Sequence, residues 1–255
     1  LIIEYFYLMK FNSTLFILIL QTTLTISVIA QESQIILQKP TDDDNSKFTS
    51  VGNIGLTITN FGTYGHGFSL WPDQPSCEYP KGSGIEHVFD GGLWIGGIIR
   101  GNSEPFVTTG AVDATSVASR GGGFEFTNKS GEKVVERSAL FDSPFFQPSA
   151  ISHQDFVMNY TDSSTVLSNG EPITGHNPLG LVIHHETYAW NFPFADFFVI
   201  MNYTIKNTSS KFIDSVYVGL WTDAVVRNTR ITGRPSGSAF FNKGGNGYND
   251  SIKIA

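Results

Sequence analysis

A single cysteine, Cys77, occurs in the 255 residues. One thiol excludes an intrachain disulfide framework, so stability must come from burial and backbone pairing. It also excludes a lipid anchor on a leader-end cysteine, because position 77 lies far downstream of the leader. Runs of Lys or Arg are missing as well, and the formal net charge is −7. That leaves no electrostatic footprint for nucleic acid or anionic lipid, and neither is an expected partner. The chain has no Gly-x-Ser-x-Gly nucleophile elbow, no phosphate-binding loop and no dinucleotide Gly fingerprint. No long stretch keeps a helical period, and no internal repeat recurs at fixed spacing.

What is present begins with a leader. The first plausible start is Met9-Lys10, with Leu1 to Leu8 upstream of it; an apolar run from Leu15 to Leu20 then fades toward the small-residue close Val28-Ile29-Ala30. This is the pattern of a signal peptide. A membrane anchor is the competing reading, but Gln21, Thr22, Thr23, Thr25 and Ser27 interrupt the run and no basic flank follows. The expected organisation is residues 1–30 as upstream residues plus signal peptide, 31–50 as a polar linker around Asp42-Asp43-Asp44, and 51–255 as a β-rich extracellular domain. The strand-like end Ser251 to Ala255, without a polar tail, predicts truncation at the C-terminal side. Five Asn-x-Ser/Thr triplets, at Asn128, Asn159, Asn202, Asn207 and Asn249, read as surface polar residues.

From Val51 onward, short runs rich in Phe, Tyr, Val and Thr are broken by Gly, Pro and Asn clusters, the signature of many strands joined by turns. Val199, Met201, Tyr203 and Ile205 alternate with polar residues, and so do the neighbours of Val216, Val218 and Leu220. Those two runs predict a hairpin spanning Phe197 to Val226 at the centre of the core, with Phe198 and Ile200 covered as well. Leu181 to Trp190 predicts a strand carrying His184, Glu186, Tyr188 and Trp190 on one face. Ile85 to Ile99 predicts a strand whose Gly91-Gly92 and Gly96-Gly97 mark a bulge or a close backbone approach. The expected fold class is an all-β, antiparallel, β-sandwich-like domain preceded by a hydrophobic signal segment.

Candidate chemistry is thin. His184-His185-Glu186 fails the helical zinc motif, since position 189 is Ala189 and a strand sends the two histidines to opposite faces. Structural histidines are expected. Cys77 sits in a proline-rich stretch with only Lys81 as a positive neighbour, so an inert thiol is expected. Asp155, Glu186, Asp196 and Asp223 are the exposed-turn or strand-end carboxylates for a glycoside-hydrolase pair, and nothing local selects two of them. The Asp42 to Ser46 run lacks the Gly and closing Glu of a calcium loop. Aromatics make up 13% of the chain, and Trp71, Trp94, Trp190 and Trp221 are the candidates for a sugar-stacking platform. No catalytic, cofactor-binding or metal residue is assigned.

Several runs together carry a resemblance. They include Val51-Gly52-Asn53-Ile54-Gly55, Pro75-Ser76-Cys77-Glu78-Tyr79-Pro80, Gly91-Gly92-Leu93-Trp94-Ile95-Gly96-Gly97, Ser152-His153-Gln154-Asp155-Phe156 and Val216-Tyr217-Val218-Gly219-Leu220-Trp221-Thr222-Asp223. Through them the chain resembles the N-terminal region of large secreted or cell-surface proteins of Bacteroidetes and Ignavibacteria type that end in a type IX secretion sorting domain. The resemblance implies export and supplies no catalytic residues; the sorting domain itself is absent from this sequence. The expected function is a secreted or cell-surface module of structural or adhesive type, with a glycan or a cell-surface protein as partner and no membrane contact in the mature form. The alternative is an accessory domain of a secreted hydrolase acting on polysaccharide or protein.

Overall fold

Period-two apolar runs separated by turn residues fold as strands, because an extended chain sends successive side chains to opposite faces. The computed structural model describes residues 45–65, 71, 73–112, 123–128, 132–167, 170–225 and 251. All of these lie in the unit Leu37–Ala255. Residues 1–30, read from the sequence as a leader, Asp42 to Asp44 and the glycine-rich stretch 233–249 fall outside the described residues.

Twelve strands and no helix occur among the described residues. The larger sheet has seven strands. Its path runs β1 (Ser46–Phe48), β2 (Gly55–Thr59), β3 (Thr63–Gly65), β5 (Val88–Ile99) and β12 (Ile213–Ala224), with β4 (Cys77–Glu78) on β2 and β6 (Phe106–Thr109) on β5. The smaller sheet has five. Its path is β11 (Ile200–Asn207), β10 (Leu181–Ala189), β9 (Gln154–Thr161) and β7 (Thr127–Asn128), with β8 (Val135–Arg137) on β9. The ladders are antiparallel throughout. The expected all-β, antiparallel, sandwich-like class is what the chain adopts.

The core forms where the two sheets turn their apolar rows toward each other. Ile58, Leu93 and Ile95 come from the larger sheet and Phe156, Met158, Tyr160 and Ile183 from the smaller, all essentially inaccessible to water. Each such side chain contributes about 1.5–3 kcal/mol of burial. Of the two glycine pairs of β5, read from the sequence as a bulge or a close approach, Gly91, Gly92 and Gly97 mark close approaches and Gly96 does not. A Cβ on Gly91 would lie 2.2 Å from the Tyr64 ring, and one on Gly92 would lie 2.2 Å from the Ala111 nitrogen.

The expected hairpin from Phe197 to Val226 does not form. β11 pairs with β10 in one sheet and β12 with β5 in the other, so the chain between them arches across the sandwich. Alternation reports which face a residue takes and not which edge its strand joins, so two neighbouring strands in sequence need not pair. Nor is this region the centre of the core. Phe197, Phe198 and Ile200 are exposed and Val199 is half-buried, because β11 is an edge strand whose second face no described element covers. Ser46–Phe48, read from the sequence as linker, is β1 instead. It is held by the backbone ladder to β2, by Lys47 Nζ on Glu136 Oε2 at 2.9 Å, and by Asn45 N donating to Asn60 Oδ1 at 2.9 Å.

His184 and His185 point to opposite faces of β10, as the strand geometry requires. His184 Nδ1 meets Asn159 Oδ1 at 2.9 Å on the outer face. His185 is buried in the core and stacks on Tyr203 at a centroid distance of 4.2 Å. Burial pushes the His185 imidazole down to about 3. The unfolded chain takes up this proton near pH 6.5 and the folded chain only near pH 3, so stability is full above 6.5 and is lost as pH falls through that window. At about 1.4 kcal/mol per pKa unit, His185 should account for a loss of about 2 kcal/mol between pH 7 and pH 5. Urea denaturation of the wild type and His185→Phe at both pH values checks this. Identical pH dependence in the two proteins would remove His185 as the cause.

Candidate binding site

The four candidate carboxylates separate. Asp155, expected at an exposed position, is completely buried. Its oxygens accept from Ile151 N at 2.8 Å, Ser152 N at 2.8 Å and Ser152 Oγ at 2.6 Å. The Arg137 guanidinium joins it to Glu186, lying 3.5 Å from Asp155 Oδ2 and 3.1 Å from Glu186 Oε1. Glu186 also accepts from Tyr188 OH at 2.9 Å and Asn202 Nδ2 at 3.2 Å. Burial pushes Glu186 up, but the hydrogen bonds from Tyr188, Arg137 and Asn202 outweigh it and hold the carboxyl below its ordinary value. A general acid needs the opposite shift. The pair is therefore a clamp across β8, β9 and β10. Asp196 lies in the turn before β11, where its carbonyl accepts from Asn53 N at 2.6 Å. Asp223 belongs to β12 in the other sheet.

Cys77 is half-buried on β4. Burial, with Glu86 adding to it, pushes its thiol up to about 12, so it remains a thiol at neutral pH and is a poor nucleophile. Among the described residues no group of three or more His, Cys, Asp or Glu side chains is placed to hold a metal ion.

The tryptophans give a different result. Trp71 packs on Phe61, with centroids 6.1 Å apart, and Trp190 lies between Tyr188 and Phe198 at the end of β10. Trp94 and Trp221 come together on the outer face of the larger sheet, with centroids 6.5 Å apart and planes within 13°. The ladder explains this. Gly219 lies opposite Trp94 and Trp221 opposite Gly92, so the two indoles are diagonal neighbours with a glycine beside each. Trp94 is fixed by its indole N–H, which donates to the Ala111 carbonyl at 2.7 Å.

Beside this pair runs a trough of about 400 Å³. Gly96 and Gly219 form its floor, Trp94 and Tyr217 stand over it on one side, and Val107 and Pro105 border the other. Ser215 and Tyr217 are the residues of its lining that carry hydroxyls. A Cβ on Gly219 would meet nothing within 4 Å, and one on Gly96 would find ordinary contacts with Val107 at 3.5 Å and the Phe106 carbonyl oxygen at 3.7 Å. Packing does not demand glycine at either place, in contrast to Gly91 and Gly92. The missing side chains instead leave backbone open between an aromatic and an aliphatic border, within the size range of small-ligand sites.

Trp94 and Trp221 were legible as candidates from the sequence, but Tyr217, Gly219 and Val107 were not. The signal for the first two was the outward row Tyr217, Gly219, Trp221, read only as a strand. A second aromatic group, Phe141 with Phe146 and Phe192 with Phe194, is exposed on loops. Its rings pack against one another, at centroid distances of 4.8 and 5.3 Å. Comparison with family models, with curated proteins and with solved structures finds no match to this chain, so the reading of the trough rests on its own residues.

Proposed function

We propose that this chain is a secreted or cell-surface adhesion module that recognises glycan through the trough on its larger sheet. The carrying observation is the Trp94 and Trp221 pair, set nearly parallel beside a glycine floor with Tyr217 at its edge. A pyranose ring presents an apolar C–H face, and flat indoles held by a rigid sheet receive it at little conformational cost. Hydroxyls at the ring edge then meet Ser215, Tyr217 and the open backbone of the floor. Export follows from the leader and from the resemblance to sorting-domain proteins, and both are part of the proposal.

The test is affinity electrophoresis and calorimetry on a panel of insoluble and soluble polysaccharides. Tyr217→Ala and Trp221→Ala should each weaken binding by about tenfold, equivalent to about 1.4 kcal/mol. Trp190→Ala, on the other sheet, should bind as the wild type. A blank panel, or equal loss from all three variants, would overturn the reading.

A further inference from the structure

β12 is the outermost strand of its sheet, with β5 as its only ladder partner among the described residues. It is 12 residues long, or about 40 Å at about 3.3 Å per residue. Such an edge presents half its backbone N–H and C=O groups outward, and proteins ordinarily blunt it with short strands, prolines, inward charges or bulges. β12 has irregularities between Asp214 and Tyr217 and between Thr222 and Ala224, and the run between them is regular. Between Val216 and Leu220 there is neither charge nor proline. Val216, Val218 and Leu220 share the core-side face with Leu93 and Ile95, yet they are 52%, 54% and 48% exposed. Among the described residues the sandwich is open along this side.

The sequence of β12 is complementary to itself. In an antiparallel pairing of two copies about a two-fold axis at Val218, Val216 of each copy faces Leu220 of the other, and Val218 faces Val218. On the outer side Tyr217 faces Gly219, where even a Cβ would meet nothing within 4 Å and the ring has room. Asp214 and Asp223 fall at the irregularities of β12 that bound the regular run Tyr217–Thr222, and about this axis neither lies opposite the other or itself. Moving the axis to Gly219 would set Gly219 against itself. Moving it to Leu220 would set Tyr217 against Asp223. Area agrees with this choice: Phe212 and Tyr217, 68% and 77% exposed, together offer about 300 Å² at the roughly 150–250 Å² that aromatic side chains bury. The three aliphatics and the backbone edge bring the contact toward the about 800 Å² per partner of a standard interface.

We propose that two copies of this chain pair through β12, antiparallel and centred on Val218, joining their larger sheets into one continuous sheet. The contact is isologous and closes on itself. Each copy's Tyr217 then stands at the Gly219 end of the other's trough and forms part of its border, so the two troughs share one face and a polymer with repeating rings engages both.

The full chain is measured by analytical ultracentrifugation across a concentration series. The expected mass is twice the 28.0 kDa of one chain, and Val218→Lys, which sets two ammonium groups face to face, should return it to a single copy with an unchanged circular-dichroism melt. Cysteine scanning in a Cys77→Ser background tests the register. Val218→Cys should cross-link to itself under mild oxidation, Val216→Cys should not, and a mixture of Val216→Cys with Leu220→Cys should cross-link between copies. A wild-type mass of one chain at every concentration overturns the proposal, as does self-cross-linking by Val216→Cys equal to that of Val218→Cys. A single-copy protein that instead takes up an added extended peptide on β12 overturns it too. Mass and glycan affinity are separate readouts, so failure of the pairing leaves the trough reading standing, and the converse.

Discussion

Asp162→Ala is expected to remove at least about 4 kcal/mol of stability, because four donors lose their acceptor at once inside the protein. Asp162 is completely buried just after β9. Its carboxylate accepts from Leu179 N at 2.8 Å, Gly180 N at 3.0 Å and Leu181 N at 2.5 Å, the backbone that starts β10. It also accepts from Thr108 Oγ1 at 3.0 Å, on β6 of the other sheet. One side chain therefore sets the entry of β10 and ties the two sheets together. Each buried donor left without a partner costs about 1–3 kcal/mol, against a total stability of about 5–15 kcal/mol for a domain. Asp162→Asn keeps one acceptor oxygen but turns an NH₂ toward the same donors, so its loss should be smaller than that of alanine and still clear. Urea denaturation at neutral pH measures both. A loss under about 1 kcal/mol for Asp162→Ala would mean that water or a backbone shift satisfies these donors, and the tie between the sheets would have to be sought elsewhere.

Gly92→Ala and Gly110→Ala should be comparably damaging, for a steric reason. A Cβ on Gly92 would lie 2.2 Å from Ala111 N, and one on Gly110 would lie 2.3 Å from the Gly62 carbonyl oxygen. These obstacles are backbone atoms inside hydrogen-bonded structure: Leu93 N donates to Gly62 O at 3.0 Å and Gly110 N to Leu93 O at 2.8 Å. Backbone cannot rotate away as a flexible side-chain end does, so the extra methyl must break this contact between β3, β5 and the segment after β6. Overpacking costs about 1–3 kcal/mol and occasionally more, and an obstacle made of backbone places these two at the upper end, about 3 kcal/mol. Gly219→Ala is the matched control, because its added methyl points into open space and should leave stability within about 1 kcal/mol. Thermal melts of the three variants decide the matter. If Gly92→Ala and Gly219→Ala melt together, the close approach at β5 is not a structural constraint.

These glycines show how far the sequence reaches. The Gly91-Gly92 pair inside an apolar strand was legible as a close approach, since glycine in a strand interior is unfavourable unless something needs the space. That Gly96 and Gly219 serve a different purpose, as an open floor, was not legible, because both kinds of glycine look alike until their neighbours are placed. The carboxylates divide in the same way. Asp155 and Glu186 were recognisable as candidates, yet their hydrogen bonds to Ser152, Arg137, Tyr188 and Asn202 exist only after β8, β9, β10 and β11 have aligned. Asp162, in Thr161-Asp162-Ser163-Ser164, had the composition of a solvated turn and is instead among the most buried charges in the described chain.

The sequence by itself determined that this is a β protein with antiparallel strands, that His184 and His185 face opposite ways, and that no intrachain disulfide supports it. Those properties depend on alternation and composition, which are local and survive without knowledge of the partners of a strand. The tertiary structure alone decided that β11 and β12 belong to different sheets, that Phe198 and Ile200 stand at an edge and not in the core, and that Trp94 and Trp221 meet while Trp71 and Trp190 do not. Pairing is a choice among edges far apart in the chain, settled by which apolar rows can face each other, and period two carries no record of that choice.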